Sequence, residues 1–121
     1  MNKPAPHNLS PLIFLYGPPG SGKSSLGQLL ASSLERPFYD LDEIIETQAD
    51  MPIHEIFANE GETGFRTREQ AALSGILSHS SGVVALGGGA LLDENNRRAV
   101  EARGRVLCLN APAEILHGRL Q

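Results

Sequence analysis

The chain has little cysteine and no excess of positive charge. Cys108 is the only cysteine among 121 residues, so no internal disulfide can form. Because it lies in the apolar run 106–109, we expect a small buried side chain rather than a nucleophile or a metal ligand. Lysine and arginine number 10 against 14 aspartates and glutamates, and no basic stretch compensates for the net charge of −4. Binding to DNA or RNA is therefore not expected.

Long apolar runs are missing as well. No stretch approaches the length that a membrane-spanning helix needs, and Pro4, Pro6 and Ser10 stand where a signal peptide would have its apolar segment. We therefore expect a cytoplasmic protein whose residues 1–10 form a flexible tail and whose residues 11–121 form one domain. The four histidines show no metal-ligand spacing, so a structural zinc site is not expected.

The sequence does contain an alternation of short β-like runs with longer helix-compatible stretches. This βαβ pattern predicts an α/β fold with a doubly wound parallel sheet. The predicted strands are 12–16, 37–39, 83–86 and 105–109. The predicted helices are 23–34, 41–48, a short one opening at 53–57, 66–77, and 93–103 with Gly104 as its cap. Four leucines of the first helix are spaced to form one apolar face toward the sheet. They are Leu26, Leu29, Leu30 and Leu34.

A glycine-rich segment directly follows the first predicted strand. It reads Gly17-Pro18-Pro19-Gly20-Ser21-Gly22-Lys23-Ser24 and fits the P-loop pattern G-x-x-x-x-G-K-[ST]. Glycines let successive backbone N–H groups face a phosphate, and the helix that follows adds the positive end of its dipole. Lys23 would reach the β- and γ-phosphates of a nucleotide, and the Ser24 hydroxyl would bind Mg²⁺. A plain strand-to-helix turn explains the glycines but not the Gly-Lys-Ser ending.

Two further motifs follow the second and third predicted strands. Asp40 and Asp42 come after the second strand, and three glycines at 87–89 come after the third. Since the carboxyl ends of parallel strands lie at one edge of a sheet, both motifs would meet the P-loop on the same rim. Taken singly, the aspartates are also typical helix caps, and the glycines a flexible turn. Together they indicate a second substrate site that faces the γ-phosphate.

Arg66 and Glu69 form the last constellation. They stand three residues apart, so on a helix they share a face and can pair. The pairing would hold the guanidinium fork in a fixed orientation, which suits a carboxylate ligand. An ordinary ion pair on a solvated helix face is the alternative. Five further charged side chains are interpreted as solvated: Glu60, Glu62, Arg97, Arg98 and Arg103.

In order and spacing, these motifs resemble those of the shikimate kinases, a family of the nucleoside-monophosphate-kinase-like P-loop group. The resemblance spans residues 12–110 and rests on four runs. They are the loop from Gly17 to Ser25, Asp-Leu-Asp at 40–42, Phe-Arg-x-x-Glu at 65–69 and Gly-Gly-Gly-Ala at 87–90. The resemblance implies a five-stranded parallel sheet flanked by helices. It also implies transfer of the γ-phosphate of ATP to the 3-hydroxyl of shikimate.

The resemblance also implies a role for each matching residue. ATP would be bound by Gly17, Pro18, Pro19, Gly20, Ser21, Gly22, Lys23, Ser24 and Ser25. Ser24 and Asp40 would serve Mg²⁺. Asp42 would contact the shikimate hydroxyls and accept the proton, while Arg66 would hold the carboxylate. Gly87, Gly88 and Gly89 would line the same pocket, and Lys23 would complete the catalytic set with Asp42 and Arg66.

The chain departs from the family pattern at its end. It stops after Gln121, where the family continues into a mobile lid, an adenine-binding loop and a last strand and helix. The sequence therefore predicts weak or no turnover by this chain alone, an exposed strand edge near 106–109, and a monomer or a part of a longer polypeptide. Two other interpretations stay open: a related small-molecule kinase such as a gluconate kinase, and a non-catalytic nucleotide-binding module.

Overall fold

Nine elements follow one another in a computed structural model that describes residues 12–18 and 22–109. The predicted tail and the centre of the P-loop, Pro19 to Ser21, lie outside the described residues. The strands are β1 (Leu12–Tyr16), β2 (Phe38–Asp40), β3 (Gly82–Ala85) and β4 (Gly104–Cys108). The helices are α1 (Lys23–Leu34), α2 (Leu41–Ala49), α3 (Ile53–Leu77), a short 3-10 helix (Ala90–Leu92) and α4 (Glu94–Arg103). The strand bounds differ from the predicted ones by at most one residue at either end.

The strands form one parallel sheet in the order β2-β3-β1-β4. Ile13 of β1 pairs with Val83 on one side and with Arg105 on the other. The sheet is covered on both faces, since Leu15 packs with Ala31 of α1 whereas the core of the opposite face is built from α2, α3 and α4. The predicted doubly wound α/β fold is therefore confirmed. Its strand order reverses between β1 and β3, and ligands of such sheets bind at the carboxyl ends of the strands beside that point.

Helix α1 turns a different face to the sheet than the leucine pattern predicts. Its buried residues are Gly27 and Ala31, whereas Leu26 and Leu29 are 40% and 68% exposed. A Cβ at position 27 would collide with the Phe38 ring, so the small residue lets the helix approach β2 closely. The prediction that the leucines form the packing face is wrong for Leu26 and Leu29, because close approach of the backbone decided which side faces inward.

Segment α3 contains two helical parts, as predicted for 53–57 and 66–77, although both parts are longer than predicted. They meet at Gly61, whose φ of 73° and ψ of −178° are non-helical and mark a kink. Glycine adopts such a positive φ at little cost, which lets the chain change direction between the two helical parts. The kink sets the direction of the first half of α3 relative to the half that carries Arg66.

Strand β4 lies at one edge of the sheet within the part of the chain that the structure describes. Leu107 is 41% exposed and Cys108 is exposed. The predicted exposed edge is confirmed, and the prediction of a buried Cys108 is wrong, because none of the described elements covers the outer side of this strand. In the described ranges, no helix combines the length and the apolar character needed to cross a membrane.

Two glycine-to-alanine substitutions are expected to change stability in opposite directions. Gly104 ends α4 and begins β4, and a Cβ there would collide with the backbone carbonyl of Leu12 on the paired strand. Since backbone cannot move aside cheaply, Gly104→Ala should lower the free energy of unfolding by about 1–3 kcal/mol. Gly75→Ala, in the open on α3, should raise it by about 0.5–1 kcal/mol. Urea denaturation of both variants measures this, and equal effects would contradict the β1–β4 packing.

Candidate active site

The P-loop segment enters α1 at the carboxyl end of β1. Gly22 has φ 86° and forms the N-cap of α1, with its carbonyl accepting a hydrogen bond from the Leu26 N–H at 2.9 Å. Lys23 is the first helical residue and is half-buried, while Ser24 and Ser25 lie exposed in the first turn. Gly17, at the other end of the segment, is buried. The described part of the loop thus presents a helix N-terminus, a lysine and a serine hydroxyl on one rim.

Asp40 connects this helix to α2. Its Oδ2 accepts a hydrogen bond from Ser24 Oγ at 3.1 Å, and its Oδ1 accepts one from the Glu43 N–H at 3.2 Å as the N-cap of α2. The helix-cap interpretation is therefore confirmed for Asp40, and a role in binding Mg²⁺ stays a prediction for the same carboxylate. A hydroxyl and a carboxylate oxygen side by side suit Mg²⁺, which prefers oxygen ligands and keeps several waters. Among the described residues no group of three or more histidine, cysteine, aspartate or glutamate side chains could hold a metal.

Asp42 lies half-buried in the first turn of α2. Burial raises the pKa of its carboxyl above the ordinary 3.8, and the neighbouring Asp40 carboxylate raises it further, while the Lys23 ammonium acts in the opposite direction. These influences require the two aspartates and the lysine to lie within electrostatic reach of one another. The residues after β1 and β2 therefore share one charged environment, as the rim argument predicts.

The glycines after β3 lie against Asp42 and Arg66. A Cβ added to Gly87 would stand 2.7 Å from Asp42 Oδ1, and one added to Gly89 would stand 2.6 Å from Arg66 Nη2. Gly88, between them, has open space on its side-chain position. A side chain at position 87 or 89 would displace the Asp42 carboxylate or the Arg66 guanidinium from its present place, so both glycines lie close to these two groups. The three motifs that the sequence placed on one rim are brought together there.

Arg66 is held by a buried carboxylate. Its Nη1 lies 2.9 Å from Glu69 Oε1, and the Glu69 side chain is only 1% exposed. Its Nε lies 3.7 Å from Glu62 Oε2, a carboxylate that is 73% exposed. The predicted pairing with Glu69 is confirmed, and the alternative of an ordinary surface pair is wrong. A carboxylate without solvent around it depends on its one close cation, so Arg66 has little freedom to turn away.

Sequence reasoning missed an ion pair that braces the kink of α3. Arg68 donates through Nε and Nη2 to the two Glu60 oxygens, each at 2.8 Å. This pair lowers the pKa of Glu60, because the hydrogen bonds favour the charged carboxylate. Glu60 is thus more than the solvated charge that the sequence predicted. The two residues are eight apart, a spacing that gives no signal, and they meet across the bend at Gly61.

The chain is similar to known proteins over most of its length. A family model described as shikimate kinase matches residues 19–121. A shikimate kinase of Psychrobacter cryohalolentis is 45% identical over 109 residues, which cover 90% of this chain and 59% of the relative. The solved shikimate kinase from Acinetobacter baumannii in complex with shikimate is 43% identical with a TM-score of 0.82, covering 91% of this chain and 62% of that one.

A gluconokinase from Sinorhizobium meliloti gives a TM-score of 0.50 at 20% identity, which shows a shared fold alone. The chain spans about three fifths of the length of the shikimate kinases that it matches. The family model covers most of the chain and includes the glycine, aspartate and arginine motifs that the fold brings to one rim. The chain therefore belongs to the shikimate kinase family.

Proposed function

We propose that this protein transfers the γ-phosphoryl group of ATP to the 3-hydroxyl of shikimate, a step of aromatic amino-acid biosynthesis. The observation that carries the proposal is that the Asp42 carboxylate and the Arg66 guanidinium occupy the space into which side chains at positions 87 and 89 would project. It places one carboxylate and one guanidinium fork beside a backbone with no side chains in the way. A polyhydroxy acid matches such a set, since a carboxylate binds hydroxyls and an arginine fork binds a carboxylate.

The phosphate side of the proposed site consists of Lys23, Ser24 and Asp40. Lys23 binds the β- and γ-phosphate oxygens together with backbone N–H groups at the start of α1. Ser24 and Asp40 would hold Mg²⁺, and their 3.1 Å hydrogen bond supports this role by placing the two oxygens side by side. When bound, the ion supplies positive charge that neutralises the phosphate oxygens. Positioning and positive charge are the main demands that phosphoryl transfer makes on a protein.

The acceptor side consists of Asp42, Arg66 and the three glycines. Arg66 binds the carboxylate of shikimate, and Gly87, Gly88 and Gly89 approach the substrate with their backbone. Asp42 orients the hydroxyl and takes its proton as the hydroxyl oxygen bonds to the γ-phosphorus, while the bond from that phosphorus to the bridging oxygen breaks and ADP leaves. The raised pKa of Asp42 supports this role, because a general base works best when its pKa approaches the working pH.

Acceptor-dependent ADP release tests the proposal. ADP formed from Mg-ATP is measured with shikimate, with gluconate and without acceptor, on this chain and on any longer polypeptide that contains it. Shikimate-dependent release supports the proposal, and gluconate-dependent release would make the protein a gluconate kinase. Nucleotide binding without release under any condition would instead indicate a non-catalytic nucleotide-binding module. The cytoplasm, where ATP is abundant, stays the predicted location.

Lys23→Ala is expected to remove the gain in affinity that each added phosphate brings. Losing a charged partner of the phosphates should weaken ATP binding about tenfold or more. Calorimetry with AMP, ADP and ATP measures this, and Gln28→Ala, at an exposed position of the same helix, is the control. Unchanged ATP affinity in the Lys23 variant would contradict the P-loop assignment.

A further inference from the structure

Asn96 is one of two polar side chains, with Glu69, that are buried among the described residues. It lies in the first turns of α4 with 5% of its surface exposed. Its Nδ2 donates a hydrogen bond to the carbonyl oxygen of Ala90 at 3.1 Å, and Ala90 is fully buried. No motif points to this residue, and the proposed chemistry does not use it. A buried amide aimed at one backbone carbonyl fixes the position of that carbonyl.

The Ala90 carbonyl belongs to the turn that follows the glycines. The Ala90 N–H donates to the Gly87 carbonyl at 3.2 Å, and the Leu92 N–H donates to the Gly89 carbonyl at 3.1 Å. The residue that Asn96 holds is therefore hydrogen-bonded to the same glycine that lies against Asp42. A shift of this turn would move the backbone over both Asp42 and Arg66.

Asp93 ties the same turn to α3. Its Oδ1 accepts a hydrogen bond from the Asn96 N–H at 3.0 Å, which caps α4, and its Oδ2 accepts one from Gln70 Nε2 at 3.2 Å. Gln70 directly follows Glu69, the residue that holds Arg66. One carboxylate thus connects the end of the glycine turn to the helix that carries the fork.

We infer that Asn96 is a positioning residue for the acceptor side of the site. It holds the backbone of Gly87 to Gly89 in its place beside the Asp42 and Arg66 side chains. The inference rests on the proposed function for the identity of the acceptor. It assigns Asn96 no contact with substrate. Its effect runs through the Ala90 carbonyl, so its loss changes acceptor affinity more than nucleotide affinity.

Asn96→Ala tests the inference against two controls. Asn95→Ala removes the neighbouring exposed amide, and Val100→Ala opens the core one turn further along α4 without touching the hydrogen bond to Ala90. We measure shikimate and ADP affinities by calorimetry and melting temperatures for all four proteins. Asn96→Ala should weaken shikimate binding about tenfold with ADP affinity within about twofold, since a buried carbonyl loses its partner. Val100→Ala should lower the melting temperature and leave the affinities for shikimate and ADP unchanged.

A purely structural role would give a different result. Unchanged shikimate affinity in Asn96→Ala, or equal losses in Asn96→Ala and Val100→Ala, would overturn the inference. Hydrogen exchange of the Ala90 and Leu92 amides gives a readout that needs no substrate. Faster exchange at these amides in Asn96→Ala but not in Val100→Ala supports the positioning role, whether or not the wild type binds shikimate. Absence of shikimate binding by the wild type would refute only the proposed function. Equal exchange in the two variants would overturn the inference itself.

Discussion

Arg66→Lys should weaken shikimate binding about 10- to 100-fold while ADP binding stays unchanged. Lysine keeps the positive charge that the buried Glu69 needs, 2.9 Å away in the wild type. It loses the planar fork, and a single ammonium cannot bind a substrate carboxylate in the bidentate way while it pairs with Glu69. Calorimetric titration of shikimate and of ADP measures both affinities on the same sample.

Arg98→Lys is the matched control for this variant. Arg98 pairs with Glu94 at 2.6 Å on an exposed helix surface, so its replacement should change neither affinity. Alanine is the poorer choice at position 66, because it would leave Glu69 buried without a cation at a cost of about 3–5 kcal/mol. Equal loss of shikimate and ADP affinity in Arg66→Lys would count against the acceptor role of Arg66.

Asp42→Asn should lower shikimate-dependent turnover by about 10²–10⁴-fold and raise the melting temperature at neutral pH. The amide cannot take the hydroxyl proton, which accounts for the loss of rate. It also removes an ionised carboxylate from a half-buried place beside Asp40, which accounts for the gain in stability. The assay of ADP release and thermal unfolding followed by circular dichroism measure the two effects.

The stability gain of this variant should depend on pH. The pKa of Asp42 is raised above 3.8 in the folded state, so the folded protein holds this proton to higher pH than the unfolded chain. The contribution of Asp42 to wild-type stability therefore falls as pH rises from 3.8 through its folded pKa, and the advantage of Asp42→Asn grows over that window. The charged groups that set this pKa are Asp40, Lys23, Glu69 and Glu46.

Asp50→Asn provides the control for the charge change. Asp50 is exposed at the C-terminal cap of α2 with φ 58°, a conformation that asparagine tolerates well. Its replacement should leave turnover intact and give no stability gain of this kind. A constant difference in melting temperature between Asp42→Asn and wild type from about pH 3 to pH 8 would show that burial does not disfavour the charge of Asp42.

Much of the site was predictable because it depends on chain direction rather than on packing. Parallel strands separated by helices must place the segments after β1, β2 and β3 on one rim. The closeness of Gly87 to Asp42 and the hydrogen bond of Ser24 to Asp40 are consistent with that single rule. The three-residue spacing of Arg66 and Glu69 gave their pairing in the same way, since helix geometry fixes which side chains meet.

The parts that were not predictable depend on close packing between elements. Leucine spacing could not reveal that Gly27 and Ala31 would face the sheet, because the choice depends on the Phe38 ring across the interface. Burial of Glu69 likewise depends on what α3 packs against. Asn96 reads as one more polar residue of a polar helix, and its role emerges only from the position of the Ala90 carbonyl.

The most direct measurement is the map of backbone amide shifts in two-dimensional ¹H–¹⁵N NMR spectra as shikimate is added to this chain. The proposed acceptor site predicts shifts concentrated at Asp42, Arg66 and the three glycines from Gly87 to Gly89, with little change at the exposed edge β4. Gluconate at the same concentration should leave the NMR signals of these amides unshifted. Shikimate shifts that avoid this rim, or the same shifts with gluconate, would contradict the assignment of these residues to a shikimate site.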